Sequence, residues 1–401
     1  MMISIKKIYT FLIIFFPILS IYRSPIASID MGTFLICITG VAIALNKKWV
    51  IELQRKLLPL ILYVVIITSI SIFSVSLYAP STTVLMRMLR FVILLGIFSF
   101  CNKDYFDFDY GVHLLQKVTV IASVYLIIQF LVYNASGYIL PNFIPGLTKA
   151  QGLTQSNVLS EYANFYRPTS FFLEPSSFVY FAALMLVCSL FLQEYVEIRN
   201  KNATAILITV AIIFSTSGQG FIVAVITWGY WFLKLLIQRR PNRAKIIKIT
   251  GVFALMLIIV PIIMRSEIVD NTLGRIFVED PNAMSAIDAR SGGYDVFNTL
   301  SLFRKIVGMG FGNLPDNMYF SSIADILFTL GIIGLIIVLV LYLKLFIQGK
   351  LFQKMLCVVS MILMFGGGLF TATYLLFYLS FIAYRKFELK NYKKEDGRRV
   401  V

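Results

Sequence analysis

The chain is poor in charge, in histidine and in cysteine, and each shortage removes a class of function. Only 14% of its 401 residues are Asp, Glu, Lys or Arg, against about 25% in soluble domains. With 59% hydrophobic residues and a mean hydropathy of +0.83, a soluble globule is excluded and an integral membrane protein is indicated. There is one histidine, His113, so neither a Ser-His-Asp acyl-transfer set nor a histidine-rich zinc site can be assembled. His113 opens an apolar segment and reads as an interfacial residue. The four cysteines, Cys37, Cys101, Cys188 and Cys357, stand within or at the ends of apolar runs without metal spacing. They read as inert buried thiols. No Gly-Lys-Ser/Thr follows a glycine cluster, so a P-loop fails too. No cofactor and no metal are expected.

What is present is a series of apolar runs of about 18–25 residues, the length that suits helices crossing roughly 30 Å of hydrocarbon. Barrel-type alternation is absent, which leaves an all-α bundle. The pattern predicts about twelve helical segments, at roughly 8–22, 26–45, 57–78, 83–100, 112–133, 176–196, 203–215, 221–237, 246–264, 321–347, 355–366 and 369–384. Several are short enough to be re-entrant. The first follows Lys6-Lys7 without a small-residue cleavage site and reads as a retained signal anchor. The whole of 1–401 reads as a single polytopic membrane domain with no internal repeat.

The formal net charge is +16, yet its distribution argues against nucleic acid. Most Lys and Arg fall in alternate connections, from Lys6 and Lys7 through Lys47, Lys48, Arg199, Arg239 and Arg240 to the tail at 385–401. That bias is the positive-inside pattern, with both termini cytoplasmic. Two long connections then fall outside, at about 134–175 and about 265–320. Long loops of mixed apolar and polar composition suggest function and partial folding against the bundle.

The first long loop ends in Phe165-Tyr-Arg-Pro-Thr-Ser-Phe-Phe-Leu-Glu-Pro-Ser-Ser177. A charge at the edge of hydrocarbon is costly unless paired or hydrated, which makes Arg167 and Glu174 functional candidates. Pro175 suits the first turn of the following helix, and Glu174 then sits beside a positive helix N-terminus. Two readings stand: a cap plus an Arg167–Glu174 ion pair, or an anion-binding Arg167 with Glu174 orienting or deprotonating a hydroxyl. Tyr166, Phe171 and Phe172 either face a ligand or pack on the bundle.

The second long loop carries Asp288, Arg290 and Asp295 around Ser291-Gly292-Gly293, then Gly308-Met-Gly310-Phe-Gly312-Asn313. Alternating glycines either expose backbone N–H groups to a phosphate or mark turns near an interface. Asp316, Asn317 and Tyr319 lead into a helix with Asp325, and cap it or touch substrate. Arg87 and Arg90 stand one helical turn apart and either snorkel or bind an anion, with Asp30 a partner for one of them. Ser215-Thr-Ser-Gly-Gln-Gly220 is a tight turn whose small residues could also permit close approach of half-helices.

The layout resembles bacterial O-antigen and capsular polysaccharide polymerases and the related O-antigen ligases. Arg167-x-x-Ser170-Phe171-Phe172-x-Glu174-Pro175-Ser176 looks like that family's Arg–Phe–Glu-Pro-Ser segment. Arg290, Gly308-x-Gly310-x-Gly312 and Asn317-x-Tyr319 before Leu330-Gly331-Ile-Ile-Gly334 match its looser second half. The resemblance implies a glycosyltransferase-C-like bundle in the bacterial inner membrane. It implies joining of undecaprenyl-diphosphate-linked oligosaccharides, donor and acceptor alike, with a chain-length regulator protein as a further partner. Ligases carry a histidine where this chain has Asp316, which favours polymerase over ligase activity. On this reading Arg167 and Arg290 hold the diphosphate, with Arg87 and Arg90 in reserve, and Glu174 serves the acceptor. Tyr166, Ser170, Gly310, Asn317 and Tyr319 complete the expected substrate contacts. A flippase or transporter of the same lipid-linked unit is the competing class, and it calls for more charge inside the helices than Asp30 and Asp325 supply.

Overall fold

The structure, a computed structural model, describes residues 4–26, 29–46, 56–74, 77–149, 166–237, 288–315 and 318–384. The described residues form α1 (Ile5–Leu19), α2 (Met31–Asn46), α3 (Leu58–Ser74), α4 (Ser81–Tyr105), α5 (Phe108–Ser136), α6 (Pro175–Phe191), α7 (Lys201–Phe214) and α8 (Gly218–Ile237). They continue with α9 (Asp288–Thr299), α10 (Leu302–Val307), α11 (Ser322–Gln348), α12 (Leu351–Gly366) and α13 (Ala372–Ile382). Among them there is no strand, only two isolated bridges. Of the segments expected from hydropathy, the one at 246–264 lies outside the described residues. Helices α4, α5, α8 and α11 are long and apolar enough to cross a membrane, and α2, α3, α6, α7, α12 and α13 are apolar but shorter. The fold is all-helical and has the character of a membrane protein.

Local chemistry sets the helix ends. Asp30 accepts from the Thr33 amide at 2.9 Å and the Thr33 hydroxyl at 2.7 Å, so α2 begins at 31 rather than near 26. Asp107 likewise accepts from the Tyr110 amide at 3.1 Å and starts α5 four residues ahead of the apolar run. Gly137, with φ 70°, closes α5 in the left-handed conformation. Pro175 occupies the first turn of α6, as the sequence led one to expect.

Successive long helices alternate in direction. One end of the bundle gathers Lys56 with Gln348, Gln116 with the Arg199 carbonyl, and Gln353 with the carbonyls of Ile382 and Tyr384. The other end gathers the starts of α2, α4, α6, α8, α11 and α13, joined by Tyr22 with Lys149, Asn313 with Tyr78, and Ser322 with the Gly367 carbonyl. At the centre stands α6, whose residues from Phe178 to Phe191 are all buried. A helix apolar on every side belongs where neighbours surround it. Gly220 lets α8 close on α6 and α7, because a Cβ there would lie 2.7 Å from Ile212 and 2.9 Å from Val179.

Helix α11 is broken at Gly331, where φ is 67° and ψ −172°. The carbonyls just ahead of the break find partners from elsewhere. The Phe328 carbonyl accepts from the Met309 amide and the Thr329 carbonyl from the Gly310 amide, each at 2.9 Å. The Tyr63 hydroxyl, on α3, lies 3.0 Å from both the Leu330 and the Val307 carbonyls. Residues 308–313 thus form a buried loop wedged between α3, α4 and α11, replacing the lost helical bonds. Irregular backbone inside a membrane bundle is tolerated only where protein satisfies it in this way. Gly308 and Gly331 cross backbone to backbone: a Cβ on Gly308 would overlap the Thr329 carbonyl, and one on Gly331 the Ile306 carbonyl.

Candidate functional site

The exposed face of α4 at its N-terminal end carries Leu85, Met86, Arg87, Leu89, Arg90 and Ile93. Two guanidinium groups therefore stand on a helix flank that is otherwise apolar. Arg87 donates through Nη1 to the Gly312 carbonyl at 2.7 Å. It also lies within electrostatic reach of Asp325, in the first turn of α11. Arg90 pairs with Asp30 at 2.6 Å, so Asp30 does pair with one of the two arginines while capping α2. The side chain of Asp30 is 7% exposed and that of Arg90 41%, so the carboxylate is enclosed and the guanidinium opens outward.

Gly312 reaches Arg87 because the glycine loop is held from three sides. Its glycines Gly308, Gly310 and Gly312 have φ of 91°, 97° and 77°, a region that side chains disfavour. The Phe311 amide donates to the Thr68 hydroxyl at 2.9 Å. Asn313 is buried: its Oδ1 accepts from the Tyr78 amide at 2.8 Å and its Nδ2 donates to the Met309 carbonyl at 3.0 Å. The amides of 309, 310 and 311 are all spent on the fold. This corrects the expectation that Gly310 offers an N–H to a phosphate: that amide belongs to the Thr329 carbonyl. The motif presents a carbonyl, at Gly312, rather than a nest of donors.

In the first loop the structure separates bracing residues from candidates. Ser170, with φ 56°, is buried; its amide donates to Gln129 Oε1 and its hydroxyl to the Ala122 carbonyl, each at 2.8 Å. Tyr166 is buried and stacked on Tyr133 at 4.5 Å, and burial pushes its phenol well above the usual range. Both expected substrate contacts are corrected to bracing roles, since their polar or aromatic faces are taken by α5. Phe171 stacks on Tyr125 at 4.7 Å, and Phe172 meets Phe178 and Phe181. Of the open readings for these aromatics, packing on the bundle is the one observed. Arg167 and Glu174 are each half-buried at the ends of this braced segment. Glu174 is the N-cap residue of α6, yet its carboxylate accepts from the Ser176 hydroxyl at 2.9 Å rather than from a helix amide. Tyr374 of α13 lies within its electrostatic reach and donates to the Ser177 carbonyl at 3.4 Å.

These pieces converge through aromatic rings. Phe91, one residue past Arg90, meets Phe311 at 4.4 Å and Phe370 at 5.7 Å. Phe370 leads into α13, whose Tyr374 borders Glu174. Arg87, Arg90, Asp325, Gly312 and Glu174 thus share one end of the bundle, on neighbouring elements. Tyr319 is partly exposed on the approach to α11. The side chain of Arg290 and residues Asp316 and Asn317 lie outside the described residues. Asp295 is exposed on α9, and Gly293 there is packing space, since a Cβ would lie 2.9 Å from Ala324. Sequence reading missed Tyr63 and gave Asn313, named in the glycine motif, no role of its own. A tyrosine inside an apolar run and an asparagine closing a glycine series were the available signals. His113 stands at the opposite end, on α5, and no metal-ligating cluster occurs among the described residues.

A further cation belongs to this end. Lys149 donates to Asn142 Oδ1 at 2.7 Å and lies over the Phe143 ring at 5.5 Å. Partial burial holds its ammonium below the usual lysine pKa. Compared against models of known protein families and against curated proteins, the chain matches none.

Proposed function

We propose that this chain is a bacterial inner-membrane polysaccharide polymerase, joining undecaprenyl-diphosphate-linked repeat units on the outer face with the diphosphate lipid as leaving group. The observation that carries the reading is the pair Arg87 and Arg90 on an exposed apolar flank of α4, with the Asp325 carboxylate near the first. An anion that reaches such a pair sideways, through lipid, is one attached to a lipid. The motif around Arg167 and Glu174 supports the same reading, because it lies at the same end. Basic residues at the opposite end, such as Lys6, Lys7, Lys117, Arg199, Lys201, Lys344 and Lys350, support an outward-facing site. The twelve spans, the two outside loops and the cytoplasmic termini belong to this proposal.

Chemically, an acceptor hydroxyl attacks the anomeric carbon of the donor sugar. The new C–O bond forms as the bond from that carbon to the phosphate oxygen breaks, and the electron pair leaves with the lipid diphosphate. Arginine forks suit the growing charge because they bind phosphate oxygens bidentately. Arg87 is held ready by the Gly312 carbonyl, so little reorganisation is required at the moment of transfer. The acceptor proton goes to a carboxylate, for which Glu174 is assigned and Asp325 is the neighbour.

The test is polymer formation from purified protein and lipid-linked repeat units, in one detergent or nanodisc compartment. Arg87→Ala should slow chain growth by roughly 100-fold, leaving single repeat units, and Arg87→Lys should rescue only part of that loss. Arg167→Ala and Arg290→Ala are expected to abolish long chains too. Normal ladders from both Arg87→Ala and Arg90→Ala would end the proposal. Transfer of lipid-linked units between leaflets without any polymer would favour a flippase instead.

A further inference from the structure

We infer that α10 lies along the membrane surface as an anchor, with its apolar face in the acyl boundary and its cations at anionic lipid headgroups. Leu302 and Phe303 are 76% and 63% exposed, and Ile306 is exposed as well. Ile306 shares a helical face with Leu302 at i, i+4 and with Phe303 at i, i+3, so the three make one broad apolar stripe on a helix of six residues. Arg304 and Lys305 stand in the same turn; the Arg304 guanidinium lies 5.7 Å from the Phe303 ring centre and Nη1 donates to the Gly308 carbonyl at 3.3 Å. Arg304 and Lys305 are each half-buried beside these exposed apolar side chains, and long cationic side chains so placed can snorkel to a headgroup layer.

Two further observations select lipid over a protein partner or water. α10 packs on α11 and meets α3 where the Tyr63 hydroxyl reaches the Val307 carbonyl, and both helices expose apolar side chains: Ile66, Ile70 and Phe73 on α3, and Ile332, Ile333 and Ile336 on α11. Its depth also agrees. The C-terminal end of α10 docks on the backbone at Gly331, and from Gly331 to Gln348 helix α11 covers about 27 Å at 1.5 Å per residue. That is close to the roughly 30 Å hydrocarbon thickness, with Lys344 and Lys350 at the far end. α10 therefore sits one hydrocarbon layer from the opposite basic belt. Because Val307 runs directly into the glycine loop that ends at Arg87, the anchor also sets the depth of that arginine. The inference requires a bilayer but not the polymerase reading.

The experiment is nitroxide accessibility in phosphatidylglycerol-containing liposomes, with single labels at Leu302→Cys, Phe303→Cys, Lys305→Cys and Ile306→Cys. Cys37→Ala removes the half-buried native thiol, and the unsubstituted background measures labelling of the buried ones. Labels at 302, 303 and 306 should favour oxygen over a water-soluble nickel chelate by several-fold relative to Asp295→Cys on exposed α9. Position 305 should fall between. Replacing phosphatidylglycerol by phosphatidylcholine should lower the ratio at 303 about two-fold, and Arg304→Gln with Lys305→Gln should remove that lipid dependence. Labels that favour nickel place α10 in water, and labels shielded from both reagents place it under protein; either result overturns the anchor. An unchanged ratio in phosphatidylcholine overturns the headgroup assignment. Monodisperse elution of each variant guards against misfolding, and Phe303→Trp quenched by brominated lipid gives a second measurement.

Discussion

The segments 166–177 and 308–313 both carry sequence motifs, yet they are held by different forces. The first is fixed through side chains: Tyr166 on Tyr133, Phe171 on Tyr125, and Gln129 clamping the Ser170 backbone. The second is fixed through its backbone, with amides 309, 310 and 311 donating to Phe328, Thr329 and Thr68. Side-chain bracing leaves Arg167 and Glu174 half-buried at the margins. Backbone bracing, completed by the Thr68 hydroxyl and the Asn313 side chain, sets the Gly312 carbonyl against Arg87. A motif rich in glycine is thus closely enclosed here, because each glycine stands where a Cβ would meet protein.

That contrast is broken or sharpened by graded substitutions. The largest effect is expected at the crossing: Gly331→Ala and Gly308→Ala should each cost about 3 kcal/mol or more, since positive φ and backbone overlap act together. Loss of monodisperse protein in detergent, or a large drop in Tm, checks this; near-normal Tm for both would show that the backbone crossing is not tight. Next comes Asn313→Ala, which leaves the Tyr78 amide without its acceptor and should cost roughly 1–3 kcal/mol. Gln129→Leu should cost a similar or smaller amount by stranding the Ser170 amide. Both are measured by thermal unfolding. On the proposed polymerase reading, Gln129→Leu should retain more polymer synthesis than Asn313→Ala at matched stability.

The smallest effect is electrostatic and concerns Lys149. Its folded-state pKa lies below the ordinary lysine value because burial disfavours the ammonium. Between the two pKa values the unfolded chain binds more protons, so stability rises with pH across that window and is lost as pH falls through the folded-state value. Comparing Tm at neutral and alkaline pH with Lys149→Met should show a flatter profile in the variant. Equal slopes would mean that the lysine is hydrated.

Much of the fold was legible in order of occurrence. Among the described residues the apolar runs became helices at nearly the expected places, and Pro175 began α6 as its fixed φ suggested. Ends were less legible wherever a side chain moved them, as Asp30 and Asp107 did. The site was legible by residue type but not by role. Arg87 and Arg90 were recognisable as paired, and Asp30 as a partner, from spacing and scarcity of charge. Ser170, Tyr166 and Gly310 sat in motifs and turned out to brace, because their partners Gln129, Tyr133 and Thr329 are distant in sequence.

By itself the sequence determined the membrane character, the helical class and the asymmetry of basic residues between alternate connections. Those properties are sums over local stretches: hydropathy and charge accumulate residue by residue, whatever the stretches later touch. Only the tertiary structure decided that α11 breaks at Gly331, that a glycine loop fills the break, and that Gly312 holds Arg87. A backbone carbonyl left out of its own helix can be stable only against a donor supplied by another element. Which element arrives there depends on how the helices pack, and no single stretch of chain contains that information.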